Sequence, residues 1–440
     1  MSDHRYLLQA GGAVAGRLAI PGDKSISHRA LLLSAVAEGT STIGGFLASE
    51  DCLATLAALQ ALGVRIERPQ PQEVVVHGAG PAALRRAPGP LDMGNSGTAM
   101  RLFMGLLAGQ SFDSTLSGDA SLMRRPMERV AAPLRLMGAQ IETREGRPPV
   151  RIAGSAEALR AIEYELPVAS AQVKSALLLA GLTARGRTRI IEPAPTRDHT
   201  ERMLASFGAE VLRSGRLVAL EGGQLLRGTH IAVPGDFSSA AFFLVAGCLA
   251  ARGSLVLENV GLNPTRTGLL ELLRQMGADI RTHEVGATGN AGGEPVADIE
   301  VRASPLQGIK VPEALVPLTI DEFPVFFIAA ACAQGDTLVR GALELRVKES
   351  DRLAVMAEGL RTLGIEHELL PDGLWIRGGD GFRGGTLDSH GDHRIAMAFA
   401  VASLRASAPL EIRDVANVAT SFPGFVATAR AAGLRITESG

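Results

Sequence analysis

Six times along this chain an amphipathic helical stretch ends in glycine and is followed by a short run that reads as a strand. The copies are LQALGVRI (59–66), LRLMGAQI (134–141), LASFGAEV (204–211), LRQMGADI (273–280), LRTLGIEH (360–367) and ARAAGLRI (429–436). Their glycines stand at 63, 138, 208, 277, 364 and 433, a spacing of 69 to 87 residues. Each suits the left-handed position that closes a helix before a strand begins. A second echo links the halves. Ile20-Pro-Gly-Asp-Lys-Ser and Val233-Pro-Gly-Asp-Phe-Ser lie 213 residues apart, about three repeats, and each turns the chain into a helix capped by Asp or Ser. The pattern predicts an α/β protein of two similar domains with three repeats each. One domain spans 22–234; the other combines 1–20 with 236–440, with a hinge near 20–22 and 234–236.

Composition narrows the class. The 440 residues are 46% hydrophobic and 20% charged, which excludes disorder, collagen and coiled coil. With 44 basic against 46 acidic residues, net charge drives no binding to nucleic acid or membrane. Cys52, Cys248 and Cys332 are far apart and mostly in apolar runs, so they read as reduced core thiols. The first ten residues lack a signal-peptide core, and the apolar run 240–251 is shorter than the roughly 20 residues of a membrane span. A cytoplasmic protein is expected. Only 4 of the 44 basic residues are Lys: Lys24, Lys174, Lys310 and Lys348. Three of these sit in dense polar motifs, where an ammonium can do proton chemistry that guanidinium does poorly.

Those motifs fall on loops and helix starts, where free N–H groups favour anions. Gly22-Asp-Lys-Ser-Ile-Ser-His-Arg29 offers Lys24, Ser25 and Arg29; it is not a P-loop, because Asp23 separates the glycine from the lysine. Gly94-Asn-Ser-Gly-Thr98 lets a ligand approach the backbone at Gly97. The segment 118–127 places Arg124 and Arg125 before an expected proline-started helix. Ser170 and Gln172 open an apolar helix, and Arg197 lies in a loop. The second half adds Asp321 before an apolar run and Lys348-Glu-Ser-Asp-Arg352 at another helix start. Ser389-His-Gly-Asp-His-Arg394 carries metal-type ligands but lacks HExxH spacing and paired cysteines, so no metal is expected. Lys24, Arg29, Arg125, Arg197, Lys348, Arg352 and Arg394, seven cations from both halves, accompanied by Asp321 and Glu349, suit a pair of small phosphate- and carboxylate-bearing substrates.

The segments PGDKSISHR, GNSGTAMR, GDASLMRRPM, ASAQVKSALLLAGL, TIDEFP, LRVKESDR, DHRIAMAFA and TSFPGF together resemble the motif set of the 5-enolpyruvylshikimate-3-phosphate synthase family, in the family's order from residue 21 to 425. The resemblance implies two domains of three βαβαββ repeats, an inside-out α/β barrel architecture. It also implies transfer of the enolpyruvyl group of phosphoenolpyruvate to the 5-hydroxyl of shikimate 3-phosphate, the sixth shikimate-pathway step, with no metal or organic cofactor. By motif position, Lys24, Ser25, Arg29, Ser170, Ala171, Gln172, Arg197, Asp321 and Lys348 hold shikimate 3-phosphate. Lys24, Gly97, Arg125, Gln172, Arg352 and Arg394 hold phosphoenolpyruvate. Asp321 is the expected base for the 5-hydroxyl. Glu349, with Lys24 near, is the expected acid for C3, and a monomer is expected.

Two departures from the family pattern stand out. Ala171 replaces the second Ser of a common Ser-Ser-Gln, and Thr420 stands where some members have Lys. These features, with Arg197, resemble a subgroup containing glyphosate-tolerant members, but those carry Ala at the position of Gly97, so sensitivity is expected here. The sister enolpyruvyl transferase acting on UDP-N-acetylglucosamine typically has a reactive Cys in the loop matching 118–127, where this chain has none. A non-catalytic phosphosugar binder would need the cations but neither Asp321 nor Glu349.

Overall fold

The computed structural model describes residues 4–284 and 293–440. The described residues divide into two compact units: 22–233 with 293–294, and 4–21 with 234–284 and 295–440. Gly293 and Glu294 thus belong with the first unit, although in sequence they sit inside the second.

The first unit contains helices α1 (Lys24–Val36), α2 (Glu50–Ala61), α3 (Gly97–Leu107), α4 (Glu128–Leu136), α5 (Ala171–Gly181) and α6 (His199–Ser206). Its three sheets share one plan: a parallel pair, then two antiparallel neighbours. In chain order Leu91–Asp92, α3, Ser114–Ser117, α4, Gln140–Arg144 and Arg147–Ala153 form a complete βαβαββ repeat. A second such repeat runs from Glu163–Glu165 to Leu217–Glu221 through α5 and α6. The remaining sheet takes its parallel strand, His230–Ala232, from the far end of the unit and pairs it with Glu38–Gly44.

The second unit holds α7 (Phe237–Leu249), α8 (Gly268–Gln275), α9 (Val316–Thr319), α10 (Phe323–Ala331), α11 (Arg352–Thr362), α12 (His393–Ala402) and α13 (Phe425–Ala432). Strand Gly16–Ala19 starts the repeat that continues through α7 and α8. Strand Arg5–Leu8 completes the sheet of Gly385–Asp388, Leu410–Arg413 and Ile436–Ser439. The third sheet has three strands plus a parallel bridge from Lys310 to Leu338. The second unit is therefore made from both ends of the chain because its first and last sheets each need a strand from residues 4–21.

All six repeat glycines are left-handed, with φ between 81° and 107°, and each precedes the edge strand of its sheet. A residue with a Cβ is strained at that φ, which explains the glycine. Apart from the four-residue α9, the helices are of two kinds. Those ending at these glycines bury one face. The others, α1, α3, α5, α7, α10 and α12, are almost wholly buried; every residue of α7 and α10 is inside. They pack closely: a Cβ on Gly105 of α3 would lie 2.1 Å from the Ala176 carbonyl oxygen of α5.

One local expectation needs correction. Pro126 does not start a helix; a 3-10 turn at Leu122–Arg124 comes first, and α4 begins at Glu128. The Met127 N–H donates to the Gly146 carbonyl at 2.7 Å, which holds the helix start two residues beyond the proline. Among the described residues no single helix is long and apolar enough to cross a membrane. A bent pair, Glu313–Thr319 with Phe323–Ala331, passes by length and composition, but its second helix is entirely core.

Candidate active site

A helix buried on all sides offers its surroundings chiefly its ends. At the N-terminus four backbone N–H groups lack intrahelical partners, and the dipole places roughly half a positive charge there. Most of the polar motifs of this chain occur at the N-termini of the buried helices, while those at 118–127, 197 and 348–352 lead into α4, α6 and α11.

In the first unit, Asp23 caps α1 by accepting from the Ile26 N–H at 2.9 Å, Ser96 caps α3 and Ser170 caps α5. Side chains tie the three starts into a closed ring. The His28 ring of α1 lies 2.8 Å from Thr55 Oγ1 and 3.4 Å from Ser96 Oγ at α3. Arg101 of α3 donates to Gln172 Oε1 of α5 at 2.5 Å, while Gln172 donates to Thr98 at 2.9 Å. Ser175 of α5 accepts from Arg29 of α1 at 2.9 Å.

Around this ring stand the cations. Lys24 Nζ is 3.0 Å from Asp51 Oδ2, and Asp51 is buried. Arg125 donates to Asn95 Oδ1 at 2.7 Å. A Cβ at Gly97 would meet Arg101 Nη1 at 3.0 Å and Arg125 Nη1 at 3.2 Å, so the glycine leaves both guanidiniums in place. Arg29 is spent largely on the fold: it donates to Thr200 Oγ1, the Ser25 carbonyl and Ser175 Oγ. Ala171 is buried, Ser25 and Ser170 are half-buried, and Arg197 is half-buried in the loop before α6.

Burial pushes the His28 imidazole down to about 3, with Lys24 and Arg29 adding repulsion. A depressed histidine binds fewer protons folded than unfolded, so stability falls as pH drops below about 6.5 toward 3, and the term is flat above. We expect a loss of about 1.4 kcal/mol per pH unit in that window. His28→Gln should flatten the slope between pH 6.5 and 5 in denaturant unfolding.

In the second unit, Asp321 and Glu322 lead into α10, Asp351 caps α11 and Asp392 caps α12. Asp321 Oδ1 lies 3.3 Å from Lys348 Nζ and 3.5 Å from Arg352 Nη1. Arg352, 1% exposed, also binds Glu349 at 2.6 Å and Asp392 at 2.8 Å. Its guanidinium pKa is raised: burial lowers it, but Asp392, Glu349 and Asp321 outweigh burial. Arg394 donates to the Asp321 carbonyl at 3.0 Å and lies 3.5 Å from Glu322. Glu322 accepts from Ser238, and burial pushes its carboxyl up against the pull of Arg266 and Arg394.

The structure therefore gathers Lys24, Ser25, Arg29, Gly97, Arg125, Ser170, Ala171, Gln172 and Arg197 around the helix starts of one unit. It gathers Asp321, Lys348, Glu349, Arg352 and Arg394 in the other. Sequence reading missed Asp51, Arg101, Glu322 and the role of Asp392. Lys24, Gln172, Ser238 and Arg352, their respective partners, lie 27 to 84 residues away, and no local spacing signals them. The three cysteines are free; burial raises Cys248 and Cys332 to about 12 and Cys52 further. Among the described residues no group of three or more His, Cys, Asp and Glu is placed to hold a metal ion.

The profile of the family described as EPSP synthase (3-phosphoshikimate 1-carboxyvinyltransferase) matches residues 8–428. A 3-phosphoshikimate 1-carboxyvinyltransferase of Alkalilimnicola ehrlichii is 61% identical over 98% of this chain and 96% of its own. One of Methylococcus capsulatus is 58% identical over 98% and 97%. The solved structure of EPSP synthase from Acinetobacter baumannii superposes with a TM-score of 0.89 at 52% identity, covering 100% of both chains.

Proposed function

The chain belongs to the EPSP synthase family and transfers the enolpyruvyl group of phosphoenolpyruvate to shikimate 3-phosphate; from that premise we propose which side chains hold the substrates and move the protons. The nine residues Lys24, Ser25, Arg29, Ser170, Ala171, Gln172, Arg197, Asp321 and Lys348 take shikimate 3-phosphate. Lys24, Gly97, Arg125, Gln172, Arg352 and Arg394 take phosphoenolpyruvate. Phosphate and carboxylate groups suit helix N-termini and guanidinium forks.

Asp321 removes the proton of the 5-hydroxyl as that oxygen adds to C2 of phosphoenolpyruvate. Glu349, with Lys24 sharing the work, delivers a proton to C3, giving a tetrahedral adduct with a methyl group. Loss of a proton from that methyl and cleavage of the C2–O bond to phosphate restore the double bond and release phosphate. The observation that carries the base assignment is Asp321 held between Lys348 and Arg352 at the start of α10. Both cations keep its carboxylate oriented and offset the charge of bound anions. The buried Arg352 supports the site through Asp321 and Glu349, its 2.6 Å partner.

Phosphate release by the purified protein tests the activity. Release is expected only when both substrates are present, and steady release from phosphoenolpyruvate alone would contradict it. Gly97 leaves room beside Arg101 and Arg125, so we expect glyphosate to inhibit competitively with phosphoenolpyruvate. Gly97→Ala, which pushes on both guanidiniums, should weaken inhibition at least tenfold and also raise the KM for phosphoenolpyruvate. Undiminished turnover of the unaltered protein in a large excess of glyphosate would refute this. Three free thiols, Cys52 and Cys248 buried and Cys332 half-buried, fit a cytoplasmic setting. A monomer is the proposed state, and sedimentation would check it.

A further inference from the structure

Of the four lysines, Lys24 and Lys348 belong to the two sets of binding groups, whereas the ammonium of Lys174 pairs with carboxylates outside both sets. It lies on α5, one turn past the Ser170 cap, and its side chain is 0% exposed. Its ammonium is 3.0 Å from Glu192 Oε2 and 2.7 Å from Glu201 Oε1, both carboxylates being almost fully buried. Glu192 follows the strand Arg187–Ile191, and Glu201 sits in the first turn of α6. One ammonium thus pins both ends of the segment 192–201, which carries Arg197. Thr196 donates to the other oxygen of Glu192 and fixes the middle.

The next residue on α5 extends the link. Ser175 Oγ accepts from Thr200 at 2.7 Å and from Arg29 Nη2 at 2.9 Å, and Thr200 Oγ1 also accepts from Arg29 Nε at 2.6 Å. Arg29 and Arg197, two cations assigned to shikimate 3-phosphate, therefore take their places from the segment that Lys174 anchors. Two buried carboxylates left without this ammonium would repel each other across a low-dielectric interior, and the segment would shift to bring water to them. The groups around Gly97 and Arg125 make none of these bonds.

We propose that Lys174 is a positioning residue that sets the affinity for shikimate 3-phosphate through the 192–201 segment, without entering the chemistry. The inference rests on the functional reading above. Lys174→Met should raise the KM for shikimate 3-phosphate at least tenfold, with kcat and the KM for phosphoenolpyruvate, each at saturating co-substrate, changed less than threefold. Glu201→Gln keeps the shape of the side chain while weakening one half of the clamp. It should raise the same KM about threefold, and it decides the matter if the methionine variant fails to fold.

Leu178→Ala, a buried apolar truncation on the same helix, lowers the melting temperature without touching the clamp and should leave both KM values within twofold. Calorimetric binding of shikimate 3-phosphate and phosphate release by the unaltered protein come first. Absence of both would sink the functional reading itself. With both present, an unchanged KM for shikimate 3-phosphate in the folded Lys174→Met variant, or in Glu201→Gln where that variant does not fold, overturns the positioning role. Equal rises for Leu178→Ala would overturn it too, because the effect would then be general loosening.

Discussion

Asp321→Ala is expected to slow phosphate release about a thousandfold while leaving shikimate 3-phosphate binding within a factor of ten. The hydroxyl it serves is a poor nucleophile, and a positioned base contributes typically 10²–10⁴-fold. The side chain is only 12% exposed, and its Oδ1 is fixed by Lys348 and Arg352, so no water takes its place in the same geometry. Binding survives because the anion-holding groups of the first unit are untouched and Lys348 remains. Rapid-quench phosphate release with calorimetric binding separates the two quantities. Loss of binding with turnover unchanged once corrected for occupancy would remove Asp321 from the base role.

Arg352→Met should destabilise the second unit by about 3–5 kcal/mol and abolish activity, the usual cost of removing one partner from a buried ion pair. Here the guanidinium is 1% exposed and is matched by Asp392, itself 0% exposed, as well as by Glu349 and Asp321. Methionine fills much of the space but leaves a buried carboxylate facing an apolar chain. For a unit of about 200 residues this corresponds to a fall in melting temperature of roughly 6–20 °C. Arg352→Lys should rescue little. Nε serves one oxygen of Asp392 at 2.8 Å, while Nη2 reaches the other at 3.2 Å and Glu349 at 2.6 Å. A single ammonium cannot reproduce that fork. Calorimetry that found Arg352→Met as stable as the parent would show that the carboxylates find water or other donors.

The sequence by itself determined whatever depends on a few adjacent residues. Six glycines at a near-constant step specify left-handed helix ends, because only glycine takes that φ without strain, and all six do so. Pro-Gly-Asp marks both helix starts after the chain passes between units, because a short carboxylate at that place caps free N–H groups. The motif set was legible for the same reason: each motif is a helix N-terminus, or the turn leading into one, written in six to fourteen consecutive letters.

Only the tertiary structure decided which strands are borrowed and which charges are matched. Strands His230–Ala232 and Gly16–Ala19 read as unremarkable short runs, yet each supplies the parallel edge of a repeat whose other parts lie elsewhere in the chain. Arg352 reads from its motif as a cation for phosphoenolpyruvate at a helix start, and nothing near it in sequence shows that Asp321 and Asp392, with Glu349, also surround it. Lys174 looks like a candidate for proton chemistry, and the fold makes it an anchor for Glu192 and Glu201. Backbone conformation is settled within one or two residues. Burial and ion pairing are settled by segments that meet only after folding, so their partners leave no local trace.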